Sequence, residues 1–247
     1  MNQDRFSELC VIHRNRIRER VGIGMLGEKT VHAVLKDYFE EDSRFQEVKI
    51  GKYYADIARN GEIFEIQTRD LYRLHDKIST FIVENCVTVV YPIVISKKIF
   101  WIDPSTGEYI SGRKSNKKGK ETDALFELYA LRDFLLHEKF RVCVMLLEVN
   151  EYRVQDGYGK DKKKRATKLD AIPVALRDEF YLEKKEDYFR FLSKDLPNVF
   201  TASDFSRVSK CKLFVAQRAV NILTKIGLLR VIGKDGRKNK YEILNFS

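Results

Sequence analysis

Apolar residues at Val31, Val34, Leu35, Tyr38 and Phe39 follow the i, i+3, i+4, i+7, i+8 spacing of one helix face and predict a helix from about Glu28 to Phe39. Residues 1–20 predict an earlier helix that ends in a basic cluster, and Gly22, Gly24 and Gly27 separate the two. Strands are predicted at about 45–50, 53–59 and 62–68. Leu71, Leu74, Ile78, Phe81 and Ile82 then form a second helical stripe. The β-branched run from Val87 to Ile95 predicts a buried strand, and Ile99 to Ile102 a further short one. The order helix, three strands, helix, strand is an α/β pattern with a mixed sheet, because the crossover helix lets the last strand join in parallel.

Downstream, the pattern predicts a helix from Ala124 to His137 and a strand from Arg141 to Val154. Its character changes near Glu183. A helix is predicted from Asp187 to Leu192 and closed by Leu196-Pro197; a short helix follows, capped by Thr201 or Ser203, with Phe205 and Val208 inward. A longer helix from about Lys212 to Lys225 carries Ala216, Ala219, Val220, Leu223 and Ile226 on one face, and Gly227 ends it. Strands at Leu228–Ile232 and Lys240–Leu244 flank the polar turn GKDGRKN. The expected division is one domain over residues 1–180 and a smaller one over 185–247.

The chain has 247 residues, of which 44% are hydrophobic, enough for a sizeable core and too many for a disordered tail. No apolar stretch approaches the length of a membrane span, and the N-terminal residues lack the apolar core of a signal peptide. A cytoplasmic protein without a membrane partner is expected. Cys10, Cys86, Cys143 and Cys211 lie far apart, which argues against a zinc knuckle or a disulfide framework. The formal net charge is +10, which points to a polyanionic partner. Two segments concentrate that charge: residues 111–120, with Lys117 and Lys118, and residues 156–168, with Lys163, Lys164 and Arg165. Each reads as a solvated loop or as a phosphate contact.

The most informative stretch is residues 53–68. Asn60-Gly61 is a strong signal for a two-residue type I′ turn, which sets the register. Arg59 then pairs with Glu62, Ala58 with Ile63, Ile57 with Phe64 and Asp56 with Glu65. The last pair is of the non-hydrogen-bonded kind, with Cα atoms about 4.5 Å apart. Asp56, Glu65 and Gln67 share one face, and Ile57, Phe64 and Ile66 the other. Opposed carboxylates repel, and a divalent cation is their natural compensator. Mg²⁺ accepts one or two carboxylates and keeps water and phosphate oxygens as its other ligands.

Asp56, eight intervening residues, then Glu65-Ile66-Gln67 resembles the PD-(D/E)XK nuclease signature, and the αβββαβ order around it resembles the core of that superfamily. The resemblance covers roughly residues 20–102. It implies that Asp56, Glu65 and the carbonyl of Ile66 bind Mg²⁺, with Mn²⁺ as a substitute, and that Gln67 stands where the family usually has Lys. Gln67 lacks the positive charge of Lys and would orient the attacking water. Ala55 stands where the family often has Pro. Glu28 fits the place of a helix glutamate that completes such sites, and it equally fits a first-turn residue complementing the helix dipole. Arg69, just beyond the motif, could reach a phosphate. His32 and His75 read as core histidines.

Residues about 185–247 resemble a winged helix-turn-helix domain. That resemblance implies a recognition helix offering Lys212, Gln217, Arg218, Asn221 and Lys225, and a wing tip offering Lys234, Arg237, Lys238 and Lys240, to double-stranded DNA. A winged helix used for protein contacts is the other reading. Together the two resemblances imply an Mg²⁺-dependent DNA endonuclease of restriction or mobile-element type, and duplex cutting favours a homodimer. The rival readings are a catalytically inactive transcriptional regulator with a nuclease-like fold, an RNA-acting protein and a basic scaffold. No GxxxxGK[ST] loop occurs, so nucleotide hydrolysis is not expected.

Overall fold

Asn60 and Gly61 both adopt left-handed φ angles, 51° and 78°, as a type I′ turn requires. The hairpin they close anchors the larger of two sheets in the computed structural model, which describes residues 2–20, 30–103, 109–154 and 166–244.

The chain opens with α1 (Gln3–Arg20) and α2 (Thr30–Phe39), followed by β1 (Gln46–Ile50), β2 (Tyr53–Arg59) and β3 (Glu62–Ile66). A 3₁₀ turn at Leu71–Leu74 leads into α3 (His75–Phe81), and the crossover returns as β4 (Cys86–Ile102). Then come β5 (Tyr109–Lys114), α4 (Thr122–Leu128), β6 (Phe140–Val154) and β7 (Thr167–Leu182). The C-terminal elements are β8 (Val199–Thr201), α5 (Ala202–Val208), α6 (Leu213–Lys225), β9 (Leu229–Asp235) and β10 (Lys238–Ile243).

The larger sheet is mixed, with strand order β1-β2-β3-β4-β6-β7 and β5 paired to β4. β2 and β3 are antiparallel in the expected register, Ile57 with Phe64, Ala58 with Ile63 and Arg59 with Glu62. β3 and β4 are parallel, with Glu65 opposite Val89. The expected α/β class and parallel return are therefore present. The smaller sheet is antiparallel, in the order β8-β10-β9.

By contacts the chain forms two units, each discontinuous in sequence. The first comprises residues 1–48, 94–119 and 145–179, with Phe6, Val34, Leu35, Met145, Leu147 and Leu176 in its core. The second comprises residues 49–93, 120–144 and 180–247, with Ile57, Ile63, Ile78, Phe81, Leu125, Phe205 and Leu223 in its core. Within the second unit α6 lies on α4, and the rings of Phe126 and Phe214 meet edge to face at 5.2 Å.

Several elements differ from expectation. The run Ser96-Lys97-Lys98 does not end a strand; β4 continues through it, because Lys98 pairs with Lys114 of β5 and Lys97 is tied to Glu151. The helix expected to reach His137 stops at Leu128. Beyond it, Phe134 N donates to Leu131 O and His137 N to Phe134 O, so the chain winds in tight three-residue turns. The helix expected at 187–192 is a 3₁₀ segment, Lys185–Phe191, whose buried Tyr188 and Phe191 are three residues apart. The GKDGRKN run is mostly strand: Asn239 pairs with Lys234, and the turn narrows to Gly236 (φ 57°) and Arg237. Its polarity reflects two solvated strands rather than a loop. β7, sixteen residues long, has no counterpart in the sequence reading. His75 is exposed at the start of α3 rather than in the core. α5 is capped by Thr201, whose hydroxyl accepts from Asp204 N, and α6 ends before Gly227 (φ 78°), both as expected.

Candidate active site and candidate nucleic-acid interface

The hairpin places Asp56 and Glu65 together. Asp56 N donates to Glu65 Oε1 at 3.3 Å, and Ile66 N donates to Asp56 Oδ2 at 2.7 Å. The two carboxylates are not equivalent. Asp56 is half-buried, whereas Glu65, on the same face as fully buried Ile63, is only 1% exposed. From α3, Lys77 sends its Nζ to 2.6 Å from Glu65 Oε2. Burial first, and the neighbouring Asp56 second, push the Glu65 carboxyl up to about 7 against the pull of Lys77.

Lys77 is the residue that the motif reading missed. It lies three residues after Leu74 and four before Phe81, on the flank of the apolar stripe. A lysine there either snorkels outward or meets a buried acid. It supplies the positive charge that Gln67 cannot. Gln67 is half-buried at the end of β3; its N donates to Val90 O at 3.0 Å and its Nε2 to Arg69 O at 2.7 Å. Arg69 is exposed, with Nε 3.6 Å from Asp70. Glu28, Lys163, Lys164 and Arg165 lie outside the described residues.

Among the described residues no group of three or more His, Cys, Asp and Glu side chains comes together. Among the described residues the side-chain donors here are two carboxylates. That does not fit a closed four-ligand zinc site. It fits Mg²⁺, which binds through one or two carboxylates and fills its remaining positions with water and phosphate oxygens. Burial first and the neighbouring Asp56 second make it costly to ionise Glu65, and a bound cation would offset that cost.

The second unit also carries a surface suited to polyanions. Gln217 and Asn221 are exposed on α6, and Lys212 is exposed just before it. A cleft of about 260 Å³ opens between α6 and the β9–β10 hairpin, lined among others by Ser203, Gln217, Arg237 and Lys238. Two residues assigned to that surface are engaged within the fold instead. Arg218 turns onto α4, donating to Phe126 O at 3.0 Å with its guanidinium 3.9 Å from the Phe126 ring centre. Lys225 pairs with Asp133. Arg218 sits three residues before exposed Asn221 but also beside buried Ala219, and helical spacing alone does not tell which neighbour it serves. Arg218→Ala is expected to lower stability by about 1–3 kcal/mol, whereas Gln217→Ala should leave the melting temperature within a degree or two; thermal denaturation of both variants checks this. In the first unit, Lys117 and Lys118 are exposed beyond β5.

No described helix is long and apolar enough to cross a membrane. The four cysteines are free thiols.

Residues 29–183 match the model of a family described as "Domain of unknown function (DUF8091)". The chain is similar to an uncharacterized protein of Treponema pallidum (strain Nichols), with 27% identity over 220 residues that cover 87% of this chain and 84% of the relative. No solved structure matches.

Proposed function

The chain belongs to the DUF8091 family, and from the site just described we propose that it is an Mg²⁺-dependent endonuclease of PD-(D/E)XK type acting on double-stranded DNA. One observation carries this reading: Asp56 and Glu65 meet across a hairpin, with Glu65 buried and Lys77 set against it. A buried carboxylate set beside a second one is costly, and such costs concentrate at functional sites.

In this reading Asp56, Glu65 and the Ile66 carbonyl hold the metal, which, when bound, supplies an activated water and neutralises charge on the scissile phosphate. Lys77 keeps Glu65 in place and offers a cation next to the developing charge. Gln67, at the mouth of the site, orients water, and Arg69 meets a neighbouring phosphate. The C-terminal elements act as a winged helix, with α6 as recognition helix and the β9–β10 hairpin as wing. There Gln217 and Asn221 read base edges, while Lys212, Arg237 and Lys238 meet phosphates. Two copies working as a homodimer would cut both strands.

Calorimetric titration with Mg²⁺ tests the site: binding is expected in the wild type and absent in Asp56→Asn. Lys77→Met is expected to lower cleavage by roughly 10²-fold or more, with part of the activity kept by Lys77→Arg.

A second reading, a DNA-binding regulator without catalysis, draws on the same ion pair. Lys77 neutralises Glu65 without a metal, so the pair can stand as a structural element. DNA binding with no Mg²⁺ uptake would favour it.

A further inference from the structure

The first unit holds a cavity of about 390 Å³ between the distal part of β4, β5 and the turn after it, and Arg153 of β6. Among the described residues, Lys97, Arg113, Lys114, Lys117 and Arg153 line it, with one serine, one asparagine, one isoleucine and no carboxylate. The pairing of β4 with β5 sets Ile99 opposite Arg113, and Ser115 N donates to Lys97 O at 2.8 Å, which brings the cations of both strands together. Lys117 N donates to the Ser115 hydroxyl at 3.2 Å, folding the following turn back onto the same place.

Glu151, 3% exposed, organises two of these cations: it accepts from Lys97 Nζ at 2.8 Å and Arg153 Nε at 2.7 Å. Burial opposes its ionisation, but those two hydrogen bonds, together with the charges of Lys168 and Lys97, outweigh it and hold the carboxyl below its usual range. Lys97 and Arg153 are thereby fixed in direction before any ligand arrives. Among the described residues this one carboxylate leaves most of the lining charge uncompensated. Among the described residues no acid pairs with Arg113, Lys114 or Lys117.

Converging cations on a preorganised cavity select a compact, multiply charged anion. The volume falls within the range of small-ligand pockets, which is more than a bare phosphate needs. A continuous duplex presents one charge per phosphate on a convex surface and does not fill a concavity. A phosphate monoester carries about two charges at neutral pH and is carried by a group that can enter. We propose that this cavity binds a phosphate monoester together with the nucleotide that bears it, either at a nucleic-acid strand end or as a free nucleotide. The proposal is separate from the nuclease reading, because the cavity lies wholly in the first unit and its chemistry needs no metal.

The test is fluorescence anisotropy of the full-length chain in EDTA, so that binding is read without cleavage. The probes are labelled single-stranded oligonucleotides ending in 5′-phosphate, 3′-phosphate or hydroxyls only. One of the phosphorylated ends is expected to bind at least roughly tenfold tighter than the hydroxyl-ended strand, and Arg113→Ala/Lys117→Ala should erase that advantage. Both side chains are exposed, so the variant should retain the wild-type melting temperature; should it not, Lys117→Glu alone reads the same loss. Competition by a nucleoside monophosphate at concentrations near the strand's Kd would identify a free nucleotide as the ligand, and failure to compete would identify the strand end. Equal affinity for phosphorylated and hydroxyl ends, or an advantage that survives both variants, would overturn the proposal.

Discussion

Asp56→Asn is expected to abolish Mg²⁺-dependent cleavage, by roughly 10³-fold or more, while leaving the fold intact. The substitution is chosen for what it keeps. Ile66 N donates to Asp56 Oδ2 at 2.7 Å, and an amide oxygen can accept the same bond. Asp56 is also only half-buried, so no core packing is lost. What disappears is one of two negative charges, and with it the affinity for a hard cation. Asn also removes the repulsion from Asp56 that helps hold the Glu65 carboxyl high, so Glu65 should titrate lower in the variant. Carboxyl-resolved NMR together with a cleavage assay would read both effects on one sample.

Glu65→Gln is expected to be inactive and, at pH 8, more stable than the wild type. The Glu65 carboxyl is raised from 4.5 to about 7 in the fold. Between those values the folded protein holds a proton that the unfolded chain has released. The stabilisation from this group is complete below about pH 4.5 and is lost as pH rises through 7. By pH 8 the loss amounts to roughly 3 kcal/mol, at about 1.4 kcal/mol per pKa unit. Gln does not titrate and escapes that cost, although it leaves Lys77 without its carboxylate and so gives back part of the gain. A net gain of roughly 1–2 kcal/mol raises the melting temperature by about 2–4 °C per kcal/mol in a chain of this size. The gain should shrink toward pH 5, where wild-type Glu65 is protonated. Added Mg²⁺ favours the ionised form and should stabilise the wild type more at pH 8 than at pH 5. Melting curves of both proteins at the two pH values, with and without Mg²⁺, test the whole set. A residue whose neutralisation stabilises the protein and ends its activity has been kept for chemistry.

How much of this the sequence carried depended on local rules. The Asn60-Gly61 turn allows one register, so the meeting of Asp56 and Glu65 followed from period-two alternation alone. The parallel return of β4 followed from the apolar stripe between the strands. Lys77 was hidden because its role depends on a partner twelve residues away on another element, although its place on the flank of that stripe marked it. The contact of Arg218 with α4 was hidden for the converse reason: a helical position that the spacing turns outward gives no sign of the element packed against it. The polar runs at Ser96–Lys98 and Gly233–Asn239 read as loops because turn statistics weigh polarity. In both, neighbouring strands supply the backbone partners that keep the chain extended. Neither the 390 Å³ basic cavity nor buried Glu151 beneath it was legible, because β4, β5 and β6 meet there only in three dimensions.

The Asp56–Glu65 pair is proposed to cut DNA with a divalent cation. The most direct measurement incubates plasmid and linear genomic DNA with the wild-type protein in Mg²⁺, Mn²⁺ or EDTA, beside Asp56→Asn and Glu65→Gln. The expected result is cleavage in Mg²⁺ and Mn²⁺, none in EDTA and none with either variant. Intact DNA under every condition, with salt-sensitive duplex binding retained, would contradict it and leave a DNA-binding regulator in its place.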